Sequence, residues 1–424
     1  MTETHHIRRI AMISLHTCPA ATPGGFKTGG MNVYVRELSH ELAQRGVQVD
    51  IFTRWQDSCQ AHADQPLDES PNVRLIHITA GPLEVVEPET LTPFVEVFAH
   101  GVETFASDNG RRYDVIYAHY WLSGLAGLAL RDVWHVPLIQ MFHTLGVMKD
   151  RVAGRINAAP SPRSLAEAQI MTHVDQLIAA TPAEYEQMTR LYNAPPGKIR
   201  IVPPGVDPER FHRGDRVAAK ARLGLASIRH VLLFIGRPEP LKAIDIILEA
   251  LQQLFESDPT WRQSVRLLVV GGNFADSAVQ SVINQAYVLD VRDEILFVES
   301  QPQRALPDYY LSADALLMPS DYESFGLAAL EALACGTPVI ASEVGGLAHL
   351  INNGETGYHV PTRDSAALAA TIQRLLTQPD EQVRLAGNAA QAAQRYTWAQ
   401  IADQLLAITT RLLAAGGTPD IMQN

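Results

Sequence analysis

The stretch IAMISL at residues 10–15 has the composition and length of a buried β-strand. A glycine-rich loop follows, with the pairs Gly24-Gly25 and Gly29-Gly30. Apolar residues then recur at helical spacing through residues 32–45, and VQVDIFT at residues 47–53 forms a second strand. This order of strand, loop, helix and strand predicts a parallel sheet flanked by helices.

The same alternation continues along the chain. Strands are predicted at residues 73–78, 115–118, 138–142, 176–180 and 199–202. The turn-rich segment PPGVDP at residues 203–208 follows, and the pattern then restarts with strands at 231–235, 266–270, 295–298, 315–318 and 338–341. We therefore expect an α/β protein with two Rossmann-like, doubly wound domains that face a central cleft, spanning residues 1–205 and 206–396.

Composition excludes several classes of protein. The 424 residues carry a formal net charge of −12, which argues against a generally basic nucleic-acid binder. No uncharged apolar run is long enough to predict a transmembrane helix, and the start of the chain has no signal-peptide pattern, so no membrane association is expected. The scattered cysteines Cys18, Cys59 and Cys335 predict neither disulfides nor a zinc site, and they fit a reduced, cytoplasmic protein.

Two histidines end neighbouring predicted strands, His119 and His143, and each is followed by a polar residue, Tyr120 or Thr144. Because the carboxyl ends of parallel strands meet at one edge of a sheet, these side chains are expected to face the same cleft. A structural and a functional role are both open at this point.

A pair of cations follows the first strand of the second half, in GRPEPLK at residues 236–242. Arg237 and Lys242 there suit a diphosphate, although for these two residues alone solvated loop charges are the commoner explanation. Near the N-terminus, Gly29-Gly30 could bring backbone amides to a phosphate or could only form a tight turn.

The most specific segment is ESFGLAALE at residues 323–331. If Phe325 opens a helix, its free N–H groups and the helix dipole can hold phosphate oxygens. Glu331 then lies about two turns further on, where it could accept hydrogen bonds from sugar hydroxyls. Buried in so apolar a helix, Glu331 would need polar partners.

Together these segments resemble family-four retaining glycosyltransferases of the GT-B fold, over nearly the whole chain. Residues 323–331 match the E-x₇-E signature of that family, and residues 236–242 match its diphosphate loop. TPVIASEVGGL at residues 337–347 and NGETG at residues 353–357 match the loops that follow the signature. The resemblance implies transfer from a UDP-sugar without metal or cofactor, and a last helix, about residues 397–424, that crosses back to the first domain.

Within the family, four N-terminal segments resemble the D-inositol-3-phosphate glycosyltransferase subfamily: LHT at 15–17, GGMNVYV at 29–35, HYWLSG at 119–124 and HTL at 143–145. Sucrose-phosphate synthases share the layout, usually with Gln where this chain has Met31. The implied acceptor is a small polyol or sugar, phosphorylated or not, and the transferred sugar is glucose or N-acetylglucosamine. A sucrose-phosphate synthase using fructose 6-phosphate, a UDP-sugar 2-epimerase and a non-catalytic sugar-nucleotide-binding protein remain alternatives.

The resemblance also implies roles for individual residues. In the donor half, Arg237 and Lys242 would hold the UDP diphosphate, Glu331 the ribose and Glu323 the transferred sugar. The phosphates would also meet Gly30 and the backbone of Phe325, Gly326 and Leu327. His143 would lie near the reacting sugar, and the catalytic set would be His143, Glu323, Arg237 and Lys242. The acceptor would meet Asn32, His119, Tyr120, Thr144 and Arg163.

Three positions depart from the family pattern. Enzymes with a phosphorylated acceptor usually carry a Lys in the loop after the third strand, whereas GPLEVVEP at residues 81–88 has none and ends at Pro88. That loop also adds acids, which weakens the case for a phosphate site. Gln301 stands where an Arg is common, and Ala243 where a Gly is common.

Overall fold

The computed structural model describes residues 7–21, 29–57, 64–68, 70–152, 154 and 159–416. The described chain divides into two compact units. The N-terminal unit comprises residues up to 21, residues 30–203 and the chain from 398 onward, and the C-terminal unit comprises residues 204–397 with Gly29. Gly24-Gly25 and Cys59 lie outside the described residues.

The N-terminal unit is built on a sheet that has eight strands among the described residues, in the order β3-β4-β2-β1-β5-β6-β7-β8. The strands are β1 (Arg9–Ile13), β2 (Gln48–Arg54), β3 (Gln65–Pro66), β4 (Val73–Ile78), β5 (Val115–His119), β6 (Leu138–Met141), β7 (Gln176–Ala179) and β8 (Ile199–Ile201). Neighbouring strands pair in parallel, apart from the short antiparallel pair of β3 with β4. The carboxyl ends of β1, β5 and β6 therefore share one edge.

Helices of the N-terminal unit connect these strands. They are α1 (Gly30–Gln44), α2 (Val95–Asp108), α3 (Trp121–Trp134), α4 (Gly146–Val152), α5 (Pro162–His173) and α6 (Pro182–Tyr192), with 3₁₀ turns at Pro88–Phe94 and Pro196–Lys198. Apolar residues of the strands and of α2 and α3 form one buried core, because both faces of a parallel sheet are covered.

The C-terminal unit repeats the plan with a sheet of six strands among the residues described, in the order β11-β10-β9-β12-β13-β14. The strands are β9 (His230–Ile235), β10 (Val265–Val270), β11 (Ile295–Val298), β12 (Ala315–Met318), β13 (Val339–Ser342) and β14 (Gly357–Val360). All of them pair in parallel, so the loops after β9, β12 and β14 leave the same edge of the sheet.

Its helices are α7 (Arg216–Arg222), α8 (Ile244–Ser257), α9 (Trp261–Ser264), α10 (Ser277–Val288), α11 (Leu306–Ser312), α12 (Leu327–Ala334), α13 (Leu347–Leu350), α14 (Ser365–Thr377) and α15 (Pro379–Ala393). Short 3₁₀ turns lie at Pro240–Lys242, Arg292–Glu294 and Gln303–Ala305. Helix α8 buries eight of its 14 residues, since Ile, Leu and Phe side chains line its inner face.

The final helix, α16 (Trp398–Gly416), belongs to the N-terminal unit. Its Trp398 ring lies 5.4 Å from the ring of Tyr34 on α1, and Asp403 accepts a 2.6 Å hydrogen bond from Nε of Arg45. None of the helices in the described ranges is long and apolar enough to cross a membrane.

The predicted α/β class with two parallel sheets is confirmed, and each predicted strand is present to within about two residues at either end. The first strand ends at Ile13, two residues before the predicted end, and the chain then turns, with the Ser14 hydroxyl donating to the carbonyl of Thr17. Strands β3 and β14 were not predicted. Strand β14 opens with Gly357 and contains His359, so its apolar signal is weak.

Candidate active site

The C-terminal unit brings together two loops that leave adjacent strands, β9 and β12. Lys242, in the first loop, donates a hydrogen bond through Nζ to Oε2 of Glu323 in the second. The backbone N–H of Asp321 also donates to the carbonyl of Leu241 at 2.9 Å. Two groups predicted to hold the donor, separated by 81 positions in sequence, therefore touch.

Arg237 begins the first loop and pairs with Glu239, two residues later. The preceding Gly236 has a φ of 139°, a backbone conformation that residues with a side chain rarely adopt. A Cβ on Gly271 would lie 2.4 Å from the carbonyl oxygen of Gly236. Glycine is thus required directly after β9 and directly after β10. The close approach of Gly236 and Gly271 places the start of the Arg237 loop against the end of β10.

Helix α12 begins at Leu327, so the expectation that Phe325 opens it is wrong. Gly326 takes the cap position with a φ of 99°, and Phe325 packs edge-on against Tyr396 with ring centroids 6.0 Å apart. The chain bends at Gly326 because only glycine tolerates that φ at low cost. The first-turn amides that a helix leaves without internal acceptors belong to Leu327, Ala328 and Ala329.

The loop after β13 supports the Glu323 segment from one side. The N–H of Gly346 donates to the carbonyl of Glu323 at 2.9 Å. Gly345 has a φ of 46°, and a Cβ there would lie 2.0 Å from the same carbonyl oxygen. The two glycines therefore let the loop lie directly against the backbone that carries Glu323.

Glu331 is buried on α12 and has polar partners, as its burial requires. Tyr310 donates to Oε2 at 2.6 Å, and Nε2 of Gln303 donates to Oε1 at 3.1 Å. Burial and the adjacent carboxylate raise the pKa of Tyr310 well above its usual value, so its hydroxyl stays a donor. Sequence analysis missed Tyr310 and Gln303, because they approach from other elements and carry no motif.

In the N-terminal unit, the two strand-end histidines form a hydrogen-bonded pair. Nδ1 of His119 lies 3.0 Å from Nε2 of His143, and His119 is fully buried beneath it. Tyr34 packs edge-on against the His143 ring at 5.1 Å. Burial lowers the pKa of His143 to about 3 and also lowers that of His119, so both rings are neutral at pH 7. One ring nitrogen then donates and the other accepts.

His143 has a left-handed backbone, with a φ of 63°, and Tyr120 has a φ of 75°. Such conformations are costly in side-chain-bearing residues and persist where the surroundings hold them. Here Tyr120 directly follows the carboxyl end of β5, and His143 lies two residues beyond the end of β6, at the sheet edge where ligands bind in this class of fold.

Arg163 is buried at the start of α5 and is already heavily engaged. Nε donates to Glu167 at 2.7 Å, Nη1 to the Tyr120 hydroxyl at 2.9 Å, and Nη2 to both the carbonyl and the hydroxyl of Thr144. Its guanidinium also lies 4.6 Å over the Tyr120 ring. Of the five N–H groups that an arginine carries, one thus remains without an acceptor among the described residues. The structure brings Tyr120, Thr144 and Arg163 together.

Asn32 and Gly30 lie at the start of α1. The Asn32 amide is buried and donates to the hydroxyl of Thr17 at 2.9 Å and to the carbonyl of Cys18 at 2.7 Å. It therefore holds the loop after β1, whereas Gly30 is exposed as the first residue of the helix. Cys18 and Cys335 are free thiols and buried.

The loop at residues 81–88 is held by a buried cation that sequence analysis missed. Arg54 at the end of β2 is fully buried and donates to the carbonyls of Pro82 and Glu84. Pro88 begins a 3₁₀ turn, and the next residue, Glu89, is close enough to Tyr120 to contribute to the raised pKa of its hydroxyl. The region around Tyr120 thus includes the acid Glu89.

Comparison with known proteins places the chain in a family. Residues 28–210 match the family model described as Glycosyltransferase Family 4, and residues 215–392 match Glycosyl transferases group 1. A D-inositol 3-phosphate glycosyltransferase of Saccharomonospora viridis is 40% identical over 96% of this chain and 95% of its own length. A relative of the same name from Rhodococcus jostii is 40% identical over 94% of this chain and 88% of its own.

Among solved structures, a sucrose-phosphate synthase from Thermosynechococcus elongatus superposes with a TM-score of 0.88 at 34% identity, over 96% of this chain and all of that one. The Anabaena protein HepE, solved with UDP-glucose, has a TM-score of 0.73 at 20% identity over 96% of this chain and all of its own, which supports the fold alone. The chain therefore belongs to glycosyltransferase family 4, and it is a glycosyltransferase with the GT-B fold.

Proposed function

We propose that this protein is a retaining glycosyltransferase that moves glucose or N-acetylglucosamine from a UDP-sugar to a small polyol or sugar. The observation that carries the donor half of the proposal is the contact between Lys242 and Glu323 beside the start of α12. It puts a cation for phosphate, a carboxylate for sugar hydroxyls and the first-turn amides of a helix at one sheet edge.

In this proposal Arg237, Lys242 and the amides of Leu327 to Ala329 receive the diphosphate. Negative charge develops on that group as the sugar leaves, and preorganised cations and dipoles stabilise it. Lys242 would then exchange its contact with Glu323 for a phosphate oxygen, which leaves the carboxylate to accept hydrogen bonds from the transferred sugar. Arg237 would likewise leave Glu239.

Glu331 is proposed to bind the ribose. Its oxygens accept hydrogen bonds from Tyr310 and Gln303, and a carboxylate has several lone pairs with which to accept further ones. The two donors orient the carboxylate, so that little conformational freedom is lost when ribose hydroxyls bind.

The proposed chemistry is a front-face displacement. The bond between the anomeric carbon and the diphosphate oxygen breaks, and the acceptor oxygen bonds to that carbon on the same face. The acceptor proton passes to an oxygen of the departing diphosphate, so no protein base or metal is needed. His143, neutral and held by His119, would lie near the transferred sugar as a hydrogen-bonding group.

For the acceptor, the proposed contacts are Tyr120, Thr144 and the remaining N–H of Arg163, with Asn32 holding the loop after β1. The names of the two 40% identical relatives favour an inositol phosphate. The acids of the loop at 81–88 and the engaged guanidinium of Arg163 are less suited to a phosphate than a site with several cations. The proposed acceptors therefore include an unphosphorylated polyol as well as a phosphorylated one.

A second candidate is a sucrose-phosphate synthase, in which UDP-glucose reacts with fructose 6-phosphate. It is favoured by the 34% identity and the TM-score of 0.88 to the Thermosynechococcus enzyme. Met31, where Gln is usual in those enzymes, is the residue that speaks against it.

The test is UDP release over a small grid of substrates. UDP-glucose and UDP-N-acetylglucosamine are the donors, and inositol phosphate, fructose 6-phosphate and their unphosphorylated forms are the acceptors. Release that requires one acceptor would support the transferase and name its substrate. Fructose 6-phosphate with UDP-glucose would move the assignment to the second candidate, whereas acceptor-independent loss of the UDP-sugar would favour an epimerase.

Retention is tested separately by NMR of the product, where the anomeric proton coupling of an α-linked sugar is expected from an α-configured donor. An inverted product would overturn the front-face mechanism. Activity in the presence of a chelator tests the proposed independence from metal. A cytoplasmic location is also proposed, and cell fractionation checks it.

A further inference from the structure

A third loop reaches the two loops that carry Lys242 and Glu323. It follows β14 and contains Arg363, whose backbone is left-handed with a φ of 59°. A non-glycine residue in that conformation is strained, so its persistence calls for compensating interactions. The guanidinium of Arg363 supplies them.

Arg363 contacts two aspartates, one in the loop that carries Glu323 and one in the first turn of α8, just after the loop that carries Lys242. Its Nε lies 2.9 Å and 3.0 Å from the two carboxylate oxygens of Asp321, and Nη2 donates to the same carboxylate. Nη1 donates to Oδ2 of Asp245. The planar fork of an arginine can make such a double contact on one side and a further contact on the other, which a lysine cannot.

The two aspartates stand close in sequence to the proposed donor residues. Asp321 precedes Glu323 by two positions, and Asp245 follows Lys242 by three, in the first turn of α8. The amide of Asp321 also donates to the carbonyl of Leu241 at 2.9 Å. The loop of Glu323 is thus joined to the loop of Lys242 by one backbone bond, and to the start of the helix that follows that loop by the bridge through Arg363.

From this geometry we infer that Arg363 is a positioning residue, which fixes the separation of Lys242 and Glu323 and so presets the site for a UDP-sugar. The inference rests on the proposed function of those two residues. In this inference Arg363 acts through Asp321 and Asp245 and not on the substrate directly. Its side chain is 46% exposed, so an isolated ion pair there would add little to stability, and its effect is expected in the geometry of the loops.

The experiment compares three variants of the full chain: Arg363→Ala, Arg363→Lys and the control Arg374→Ala. Arg374 is also a half-exposed arginine of the C-terminal unit, and its Nη2 donates to Glu381 at 2.8 Å. Calorimetry measures UDP affinity, steady-state kinetics measure kcat and the KM of each substrate, and thermal unfolding measures Tm.

We expect Arg363→Ala to lower kcat/KM for the UDP-sugar by about 10- to 100-fold and to weaken UDP binding, since small misplacements of site residues have effects of that size. The KM of the acceptor should not change, and Arg363→Lys should restore only part of the loss. Arg374→Ala should leave UDP binding and KM as in the wild type.

The inference fails if the Arg363→Ala variant binds UDP and the UDP-sugar as tightly as the wild type. The same holds if Arg374→Ala, at an equal drop in Tm, loses as much UDP affinity and kcat/KM as Arg363→Ala does. It also fails if Asp321→Asn, which weakens the same bridge without removing Arg363, leaves UDP affinity unchanged. Failure of the proposed function looks different, because the wild-type protein itself would then neither bind UDP nor transfer a sugar.

Discussion

Tyr310 donates a 2.6 Å hydrogen bond to Oε2 of Glu331, and both residues are buried. The bond joins the end of one helix, α11, to the middle of another, α12. It gives the second glutamate of the E-x₇-E signature a fixed orientation in an otherwise apolar helix.

Glu331→Gln is expected to weaken UDP binding about tenfold, since a hydrogen bond to a charged group contributes about 1.5–3 kcal/mol. Calorimetric titration with UDP measures the change. Glu294→Gln is the matched control, because Glu294 is a buried glutamate of the same unit, paired with Arg262. An unchanged UDP affinity in Glu331→Gln would remove the ribose role.

Lys242→Ala should lower kcat by about 10²–10³-fold, the usual effect of removing one group that stabilises transition-state charge. The same is expected of Arg237→Ala. Lys220→Ala removes a lysine that donates to the backbone of Ile228 and Arg229, and it should keep activity once folded. Circular dichroism checks the fold of each variant, and full activity in both site variants would disprove the diphosphate assignment.

The histidine pair predicts a graded series. His119→Ala should reduce kcat/KM by about 10²-fold, because His143 loses the group that orients it. His119→Asn should recover part of this, since its side-chain amide lies near the former position of Nδ1. The double variant with His143→Ala should be no worse than His143→Ala alone. Additive losses would mean that His119 acts independently of His143.

Glu184 offers a test of pH dependence. Burial raises its pKa to about 7, and its Oε1 has no hydrogen-bond partner among the described residues, while Oε2 accepts from the N–H of Ala180 at 2.6 Å. The folded state therefore binds a proton that the unfolded state releases above pH 4.5, so this contribution to stability is present below pH 4.5 and lost as the pH rises through 7.

Glu184→Gln should accordingly stabilise the fold relative to wild type by about 1–3 kcal/mol at pH 8, and less at pH 5. Denaturant unfolding at both pH values measures the difference. The buried histidines have the opposite sign, because their lowered pKa values cost stability as the pH falls below 6.5, so the variant must be compared with wild type at each pH. A difference that does not vary with pH would refute the assignment to Glu184.

Gly345→Ala should reduce both stability and activity. A Cβ would lie 2.0 Å from the carbonyl oxygen of Glu323, and the φ of 46° is itself unfavourable for alanine. We expect a loss of about 1–3 kcal/mol and a higher KM for the UDP-sugar, as the Glu323 loop is displaced. Gly387→Ala is the control, because nothing lies within 4 Å of a Cβ there. Unaltered kinetics in Gly345→Ala would mean that the loop after β13 accommodates the added Cβ without displacing Glu323.

Much of the fold followed from the sequence, because apolar strands of a parallel sheet and amphipathic helices have periodicities that can be read locally. The predicted strand at residues 295–298 matches β11 residue for residue, and the last helix, expected at about residues 397–424, begins at Trp398 and is described as far as Gly416. The start of α12 was misplaced by two residues, because the left-handed turn at Gly326 leaves no mark on hydrophobic periodicity.

The candidate site was predictable only in part. The residues of the signature and of the diphosphate loop stand in recognisable segments, but Tyr310, Gln303, Arg54 and Arg363 carry no motif. Asn32, His119 and Arg163 were expected to meet an acceptor, and the structure shows that each of them also has protein partners, which no motif announced.

By itself the sequence determined the order of strands and helices, the two-sheet architecture and the residue types available at each strand end. Only the tertiary structure decided which of those residues touch. Lys242 meets Glu323 across 81 positions and Arg363 meets Asp245 across 118, because the parallel order β9-β12-β13-β14 brings the loops to one edge. Such contacts depend on strand order and on loop conformations with positive φ, and local hydrophobic periodicity contains neither.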